Sequence, residues 1–130
     1  MTGNVFSQNA INPGIQIKYV NPGISTIIAV DYRKFDSAFA KSMYRDTVFN
    51  NLSLIKKLKQ DYAKVKYQKK YKRIDTRYKI SLYYPNQTEP VLVYMSYYGD
   101  ATINHRLLSQ CDFLNTLNKL IDSLVKKKNS

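Results

Sequence analysis

Apolar and polar residues alternate with a period of two along much of the stretch from residue 71 to residue 108. From residue 78 to residue 84, every even-numbered position is Tyr, Ile or Leu, whereas residues 79 and 81 are Lys and Ser. This alternation gives a β-strand one buried face and one solvated face. Two further β-rich runs, 91–98 and 101–108, follow after turn signals at residues 85–90 and at Gly99-Asp100. The stretch therefore predicts a three-stranded antiparallel meander.

A second alternating region lies near the N-terminus. Residues 15–20 and 24–32 both alternate, and Asn21-Pro22-Gly23 separates them. Pro followed by Gly suits the two central positions of a type II turn, because Gly tolerates the positive φ angle. We therefore predict a hairpin of strands 15–20 and 24–32. Residues 1–14 are largely polar and start without periodicity, so we interpret them as a loose N-terminal arm.

Three segments have the three- and four-residue apolar spacing that is typical of helices. Residues 37–44 predict a short helix with Asp36 as its N-cap. The segment 47–67, capped within Arg45-Asp46-Thr47, predicts an amphipathic helix whose apolar stripe is Val48, Leu52, Ile55, Leu58, Tyr62 and Val65. A C-terminal helix is predicted to start with Ser109 as its cap and to bury Phe113, Leu114, Leu117, Leu120, Ile121, Leu124 and Val125. Lys126, Lys127 and Lys128 would complement the dipole at its C-terminal end.

The order of these elements predicts an α+β fold over one domain, residues 1–130. Its antiparallel sheet, an N-terminal hairpin plus a three-stranded meander, packs against two principal amphipathic helices. The chain has no apolar run of the roughly 18–20 residues that a membrane-spanning helix needs. Residues 1–8 also lack the basic and apolar regions of a secretory signal. We therefore expect a cytoplasmic protein, or one whose signal has already been removed.

The large net positive charge of the chain bears most directly on its partner. Lys and Arg number 21 against 9 acidic residues, which gives a net charge of +12. Such a field favours nucleic acid or an acidic protein surface as a partner, although a Lys- and Tyr-rich chain can also reflect compositional bias. Eleven of the 21 cations lie between Lys56 and Lys79, and tyrosines interleave with them. Cations bind phosphates and flat rings stack on unpaired bases. The candidate polyanion-binding residues are Lys64, Lys66, Lys69, Lys70, Lys72, Arg73, Arg77, Lys79, Tyr67 and Tyr71.

Residues of the kinds that carry catalysis are scarce. His105 and Cys111 are the single His and the single Cys, and the sequence predicts that they lie on different elements. A structural zinc site needs about four His or Cys ligands, so no metal site is predicted. The four glycines form no phosphate-cradling loop. We therefore expect a non-enzymatic binding module that uses neither a cofactor nor a small-molecule substrate. An enzyme ranks third, after polyanion binding and protein–protein contact.

An alternative function uses the aromatic residues of the predicted meander. Tyrosines offer large contact areas at low entropic cost, so a tyrosine-rich sheet face suits protein–protein contact. This alternative describes a structural assembly component or an inhibitor-like binder. Its candidate interface residues are Tyr83, Tyr84, Tyr94, Tyr97 and Tyr98. Composition predicts neither the oligomeric state nor the choice between DNA, RNA and acidic protein.

Overall fold

The computed structural model describes residues 13–21, 24, 26 and 29–129. Within them, six strands form one antiparallel sheet in the order β2-β1-β3-β4-β5-β6. The strands are β1 (Gly14–Val20), β2 (Tyr44–Phe49), β3 (Tyr78–Tyr83), β4 (Val91–Met95), β5 (Ala101–Ile103) and β6 (Arg106–Leu107). The helices are α1 (Phe35–Ala38), α2 (Leu52–Tyr62) and α3 (Asp112–Asn129), with 3₁₀ turns at Tyr32–Lys34 and Lys41–Met43. The predicted α+β class is confirmed, as is a sheet built from a hairpin and a meander.

The main core lies between one face of the sheet and the two long helices. Ile17, Ile80 and Val93 from the three central strands are fully buried against this side. Leu58 of α2 and Leu117 of α3 are buried in the same cluster, as the helical periodicity predicts. The alternation that predicted β3 is also confirmed, because Tyr78, Ile80, Leu82 and Tyr84 all belong to this core. None of the described helices has the length and apolarity needed to cross a membrane.

The N-terminal hairpin differs from its predicted form. The strand that follows β1 is β2 at 44–49, not 24–32, and Gln16 and Val48 lie opposite each other in their antiparallel register. The described residues of 24–31 lie outside the strands, and Asp31 caps the first 3₁₀ turn by accepting a 3.0 Å hydrogen bond from the Arg33 amide. A side chain that binds a neighbouring amide in this way competes with strand pairing.

The predicted turn and the N-terminal arm lie only partly within the described residues. The amide of Ile24 donates to the carbonyl of Asn21 at 3.3 Å, as in a four-residue turn, whereas Pro22 and Gly23 lie outside the described residues. Residues 1–12 of the predicted arm also lie outside them, and Gly14 belongs to β1.

The two helices that were predicted at residues 37–44 and 47–67 are shorter than expected. Helix α2 begins at Leu52 rather than at residue 47, because Asn51 is the N-cap and accepts a 3.1 Å hydrogen bond from the Leu54 amide. Residues 44–49 instead pair with β1 as an edge strand, in which Val48 is exposed rather than buried. Leu52, at the start of α2, is exposed as well. Helix α1 has four residues, and Asp36 forms ion pairs instead of capping it. Pairing with the sheet has therefore overridden the helical spacing of residues 44–49.

The third strand of the meander is itself a small hairpin. Asn104 and His105 have φ angles of +51° and +68° and connect β5 to β6. Two consecutive positive φ angles are the mark of a type I′ turn, so His105 lies in a turn and not in a strand. Helix α3 begins at Asp112, and Asn115 donates to the carbonyl of Cys111, which places the start after Cys111 rather than at Ser109. The side chains at 125–128 lie outside the described part of this helix.

A candidate polyanion-binding surface

The basic segment, residues 64–73, follows α2, and its residues 66–68 lie beside the β6 edge of the sheet. The amide of Gln68 donates to the carbonyl of Leu107 at 2.8 Å, and the amide of Ser109 donates to the carbonyl of Lys66 at 2.8 Å. The Gln68 side-chain amide also donates to the carbonyl of Leu108 at 3.1 Å. These bonds hold residues 66–68 in an extended conformation beside β6, so this part of the lysine-rich segment is anchored to the fold.

Pairing with β6 brings a further cation to the segment. The Arg106 guanidinium carbon lies 3.9 Å from the centre of the Tyr67 ring, a close cation–π contact. Burial is the main cause that raises the pKa of Tyr67, so the ring is neutral at physiological pH. Arg106 was not among the sequence-predicted residues, because only the turn at 104–105 returns it to this edge.

A second group of cations forms where the basic segment meets residues 31–34. The Arg33 guanidinium donates to Asp31 at 3.1 Å through Nε and at 3.0 Å through Nη2. The Nε atom of Arg73 lies 3.5 Å from the same carboxylate, and Lys34 lines the adjoining cavity. The hydrogen bonds from Arg33 hold the pKa of Asp31 down at about 2, so this carboxylate is ionised at neutral pH. Arg33 and Lys34 were not among the sequence-predicted residues, because only the 3₁₀ turn after Asp31 brings them beside Arg73.

Seven of the ten sequence-predicted residues are exposed along this surface. Lys72 makes a 3.5 Å ion pair with Asp100, and more than half of the Tyr71 side chain is exposed. Tyr67 is half-buried beneath Arg106. We define the basic surface as these residues together with the three cations that the fold adds. Its cations are Arg33, Lys34, Lys64, Lys66, Lys69, Lys70, Lys72, Arg73 and Arg106, and its aromatic residues are Tyr67 and Tyr71.

Two predicted residues do not belong to this surface. Arg77 is only 3% exposed and donates to Asp75 at 3.0 Å and 2.8 Å. It also donates to the carbonyl of Ile24 and to the hydroxyl of Thr26, so its hydrogen bonds serve the fold. Lys79 lies on the outer sheet face and pairs with Asp36 at 2.9 Å.

Asp36 is shared by two lysines of the sheet. Lys18 pairs with the same carboxylate, also at 2.9 Å. Burial alone would raise the pKa of Asp36, but its hydrogen bonds with Lys18 and Lys79 lower it overall. Lys79 therefore already has an acidic partner within the protein, although the two lysines share that one negative charge.

The tyrosines of the alternative interface do not share one face. Tyr84 is buried in the main core, and the Tyr97 hydroxyl donates to the carbonyls of Val20 and Asn21. Tyr83 and Tyr94 are half-buried, and Tyr94 lies opposite Lys79 on the outer face of the sheet. Tyr98 is 90% exposed in the turn before β5. The five residues are therefore spread over the core, the outer face and a turn.

The residues that resembled catalytic groups are set apart from any cluster. His105 is exposed in its turn and makes a side-chain contact with the Tyr32 hydroxyl, while Cys111 is a half-buried free thiol. Cys111 lines a shallow cavity of about 230 Å³ with Asp61, Lys64, Lys66, Gln110 and Asp112. Among the described residues, no three His, Cys, Asp or Glu side chains come close enough together to hold a metal ion.

The basic surface has the chemistry to bind anions. Its nine cations face four nearby carboxylates, those of Asp31, Asp61, Asp100 and Asp112, so positive charge remains in excess. No family model matches this chain, and neither the curated proteins nor the solved structures include one that is significantly similar to it.

Proposed function

We propose that this protein is a non-catalytic binding module that holds single-stranded nucleic acid on its basic surface. The observation that carries the proposal is the excess of exposed cations beside an exposed aromatic ring, in a segment that residues 66–68 anchor to β6. Lys64, Lys66, Lys69 and Lys70 form no ion pair within the described residues. Their charges are therefore available to a partner.

Unpaired like charges favour a polyanion for a simple physical reason. Neighbouring lysines repel one another, and a polyphosphate relieves that repulsion as it binds. Binding also releases the counterions that are condensed on the nucleic acid, which adds a favourable, salt-dependent term. The bonds from residues 66–68 to β6 hold the backbone at Lys66, so this part of the surface needs no further ordering.

The tyrosines favour a single strand over a duplex. Base stacking on an aromatic ring requires an unpaired base face, which a duplex hides. Tyr71 is 52% exposed and lies within the run of cations, so a base can reach its ring while the backbone contacts lysines on either side. Tyr67 is covered by Arg106 and supports the guanidinium, which itself presents a flat cation to a base or a phosphate.

A protein-interaction role is the second candidate, and a different surface favours it. Val48 is 59% exposed on the edge strand β2, and it lines an open cavity of about 270 Å³ with Tyr83, Gln16 and Asn50. An edge strand with exposed apolar residues suits contact with another protein. Such a contact would depend on apolar and tyrosine side chains and only weakly on salt.

The test is a fluorescence-anisotropy titration of single-stranded and duplex oligonucleotides at several salt concentrations. For a single strand, we expect log K to fall against log salt with a slope of about −0.7 per phosphate neutralised. The double variant Lys69→Gln/Lys70→Gln should flatten this slope. Lys56→Gln/Lys59→Gln is the matched control, because it removes the same charge from exposed positions of α2 outside the basic surface.

A second pair of variants tests whether an aromatic side chain of the basic surface stacks on a base. Tyr71→Ala should weaken single-strand binding more than duplex binding, whereas Tyr98→Ala, at an exposed turn, should leave both unchanged. A wild-type affinity for single strands weaker than about 10⁻⁴ M at physiological salt would overturn the nucleic-acid proposal. Equal effects of the two lysine pairs would assign binding to net charge and not to this surface.

A further inference from the structure

One cavity on the basic surface has a more specific arrangement than the rest. It is about 460 Å³ in volume and is lined by Asp31, Arg33, Lys34 and Arg73. Three cations and one carboxylate leave it with a net charge of +2. The cavity is formed by two segments that are distant in sequence, the 3₁₀ turn at Tyr32–Lys34 and the end of the basic segment. Such a pocket differs from a row of lysines because its charges converge on one space.

Asp31 orients Arg33 through two hydrogen bonds and forms an ion pair with Arg73. Its carboxylate is 9% exposed and accepts from Nε and Nη2 of Arg33, while Arg73 approaches it with Nε. Within the described residues, Nη1 of Arg33 and both Nη atoms of Arg73 have no hydrogen-bond acceptor. The Arg33 guanidinium is thus held on one edge, and both guanidinium groups keep donors for an anion. Parallel N–H donors of this kind match the oxygens of a phosphate.

The fold does not depend on these arginines to join the two segments. The Val30 amide donates to Asp75 at 2.7 Å, and the Thr76 amide donates to the Val30 carbonyl at 2.8 Å. Both bonds already connect residue 30 to residues 75–76. Arg33 and Arg73 remain 63% exposed beside this connection, which is more than a purely structural ion pair requires.

We propose that the Asp31–Arg33–Lys34–Arg73 cavity binds a phosphate monoester, namely the terminal phosphate of a bound single strand. This inference rests on the proposed function and names the part of the nucleic acid that the surface selects. A monoester carries close to two negative charges at neutral pH, which matches the net charge of the cavity, whereas an internal phosphodiester carries one. Tyr71 is two residues from Arg73 in the chain and 52% exposed, so its ring is available to stack on the terminal base.

The experiment compares oligonucleotides that differ only at one end. Three 3′-labelled single strands are titrated by anisotropy: one with a 5′-hydroxyl, one with a 5′-phosphate, and one with a 5′-hydroxyl and two extra nucleotides that match the added charge. A fourth strand carries a 3′-phosphate and a 5′ label. We expect at least one terminal phosphate to tighten binding by about tenfold, which corresponds to about 1.4 kcal/mol, while the longer strand gains little.

Substitutions in and beside the cavity distinguish the effect of guanidinium orientation from the effect of charge. Arg73→Gln should abolish the preference for the phosphorylated end. Lys72→Gln is its neighbour and control, because Lys72 has similar exposure and a 3.5 Å ion pair but lies outside the cavity. It should weaken all strands and keep the preference. Asp31→Asn raises the net charge by one, so a purely electrostatic surface would bind more tightly. We expect Asp31→Asn instead to lose the preference for the phosphorylated end. Arg33→Lys should lose it too, because it keeps the charge but removes the parallel N–H donors of the guanidinium.

The outcomes are distinct. No difference between phosphorylated and unphosphorylated strands of matched charge would overturn the terminal-phosphate inference and leave the proposed function standing. Failure to bind any strand would overturn the proposed function. The cavity is then tested separately by calorimetric titration with a nucleoside 5′-monophosphate and with inorganic phosphate. Binding of either that is lost in Arg73→Gln would support a monoester site for a free ligand, and no binding would overturn the site itself.

Discussion

Replacing Leu117 by Ala tests the assignment of the core, because the position of α3 against the sheet depends on the apolar face of this helix. Leu117 is fully buried in the cluster that joins α3 to the central strands. Truncating a fully buried Leu to Ala costs about 2.7–5.0 kcal/mol, the transfer term plus the cavity that remains. Complete burial in the main cluster puts Leu117 in the middle of that range, at about 3–4 kcal/mol.

The size of the effect makes it easy to measure. The entropy of unfolding of a 130-residue chain is about 0.27 kcal/mol/K, so the loss lowers Tm by about 10–15 °C. With a urea m-value of about 1.5 kcal/mol/M, the midpoint falls by about 2 M. The assay is urea and thermal unfolding followed by far-UV circular dichroism, with the m-value checked for change.

Leu52→Ala is the matched control, since the same chemistry occurs at a site with the opposite environment. The helical spacing predicted burial for both leucines, yet Leu52 is 65% exposed at the first turn of α2. We expect its substitution to change stability by no more than about 0.5 kcal/mol. Equal losses at the two positions, or an unchanged midpoint for Leu117→Ala, would refute this assignment of buried and exposed helix faces.

Further predictions concern alkaline stability, the buried arginine and the isolated His and Cys. Burial, followed by the nearby Tyr97, raises the pKa of Tyr78 to about 12. The folded state therefore disfavours the phenolate, and the free energy of unfolding should fall as pH rises from about 10, the unfolded value, towards 12; Tyr78→Phe should reduce that slope in urea titrations. Arg77→Gln should lower the free energy of unfolding by about 3 kcal/mol by breaking its buried hydrogen bonds, whereas Arg73→Gln should change it by less than about 1 kcal/mol. His105→Asn with Cys111→Ser should leave oligonucleotide affinity unchanged, and a loss in a folded protein would reveal a role that their isolation does not suggest.

Periodicity was sufficient where an element presents one regular stripe to the core. Strand β3 and, over residues 113–124, helix α3 were both predicted with the right buried faces. The segment 44–55 combines two environments, and a local pattern does not separate them. Val48 continues the helical spacing of Ile55 and Leu58, but its backbone pairs with β1. The partner strand decided this assignment, and strand pairing is not a local property of the sequence.

The residues of the candidate site that are contiguous in sequence were predictable, whereas those that the fold brings to them were not. The run from Lys64 to Arg73 is visible in the sequence because the cations are closely spaced and no acidic residue lies among them. Arg33, Lys34 and Arg106 join it only through the 3₁₀ turn after Asp31 and the turn at 104–105. Arg77 fits the same basic run by composition, yet Asp75 and two further acceptors draw it into the interior. Charge density therefore indicated the surface, whereas hydrogen bonding determined its members.

The most direct test of the proposed function is to map the bound strand onto the protein by NMR. A ¹⁵N-labelled sample is titrated with a short 5′-phosphorylated single strand at low salt, and backbone amide shifts are followed residue by residue. We predict that the perturbed amides cluster at residues 64–73, at Arg33 and Lys34, and at Arg106, while α2 and the outer face around Tyr83 remain unchanged. Perturbations centred on β2 and Tyr83, or spread evenly over every exposed lysine, would contradict nucleic-acid binding by the basic surface.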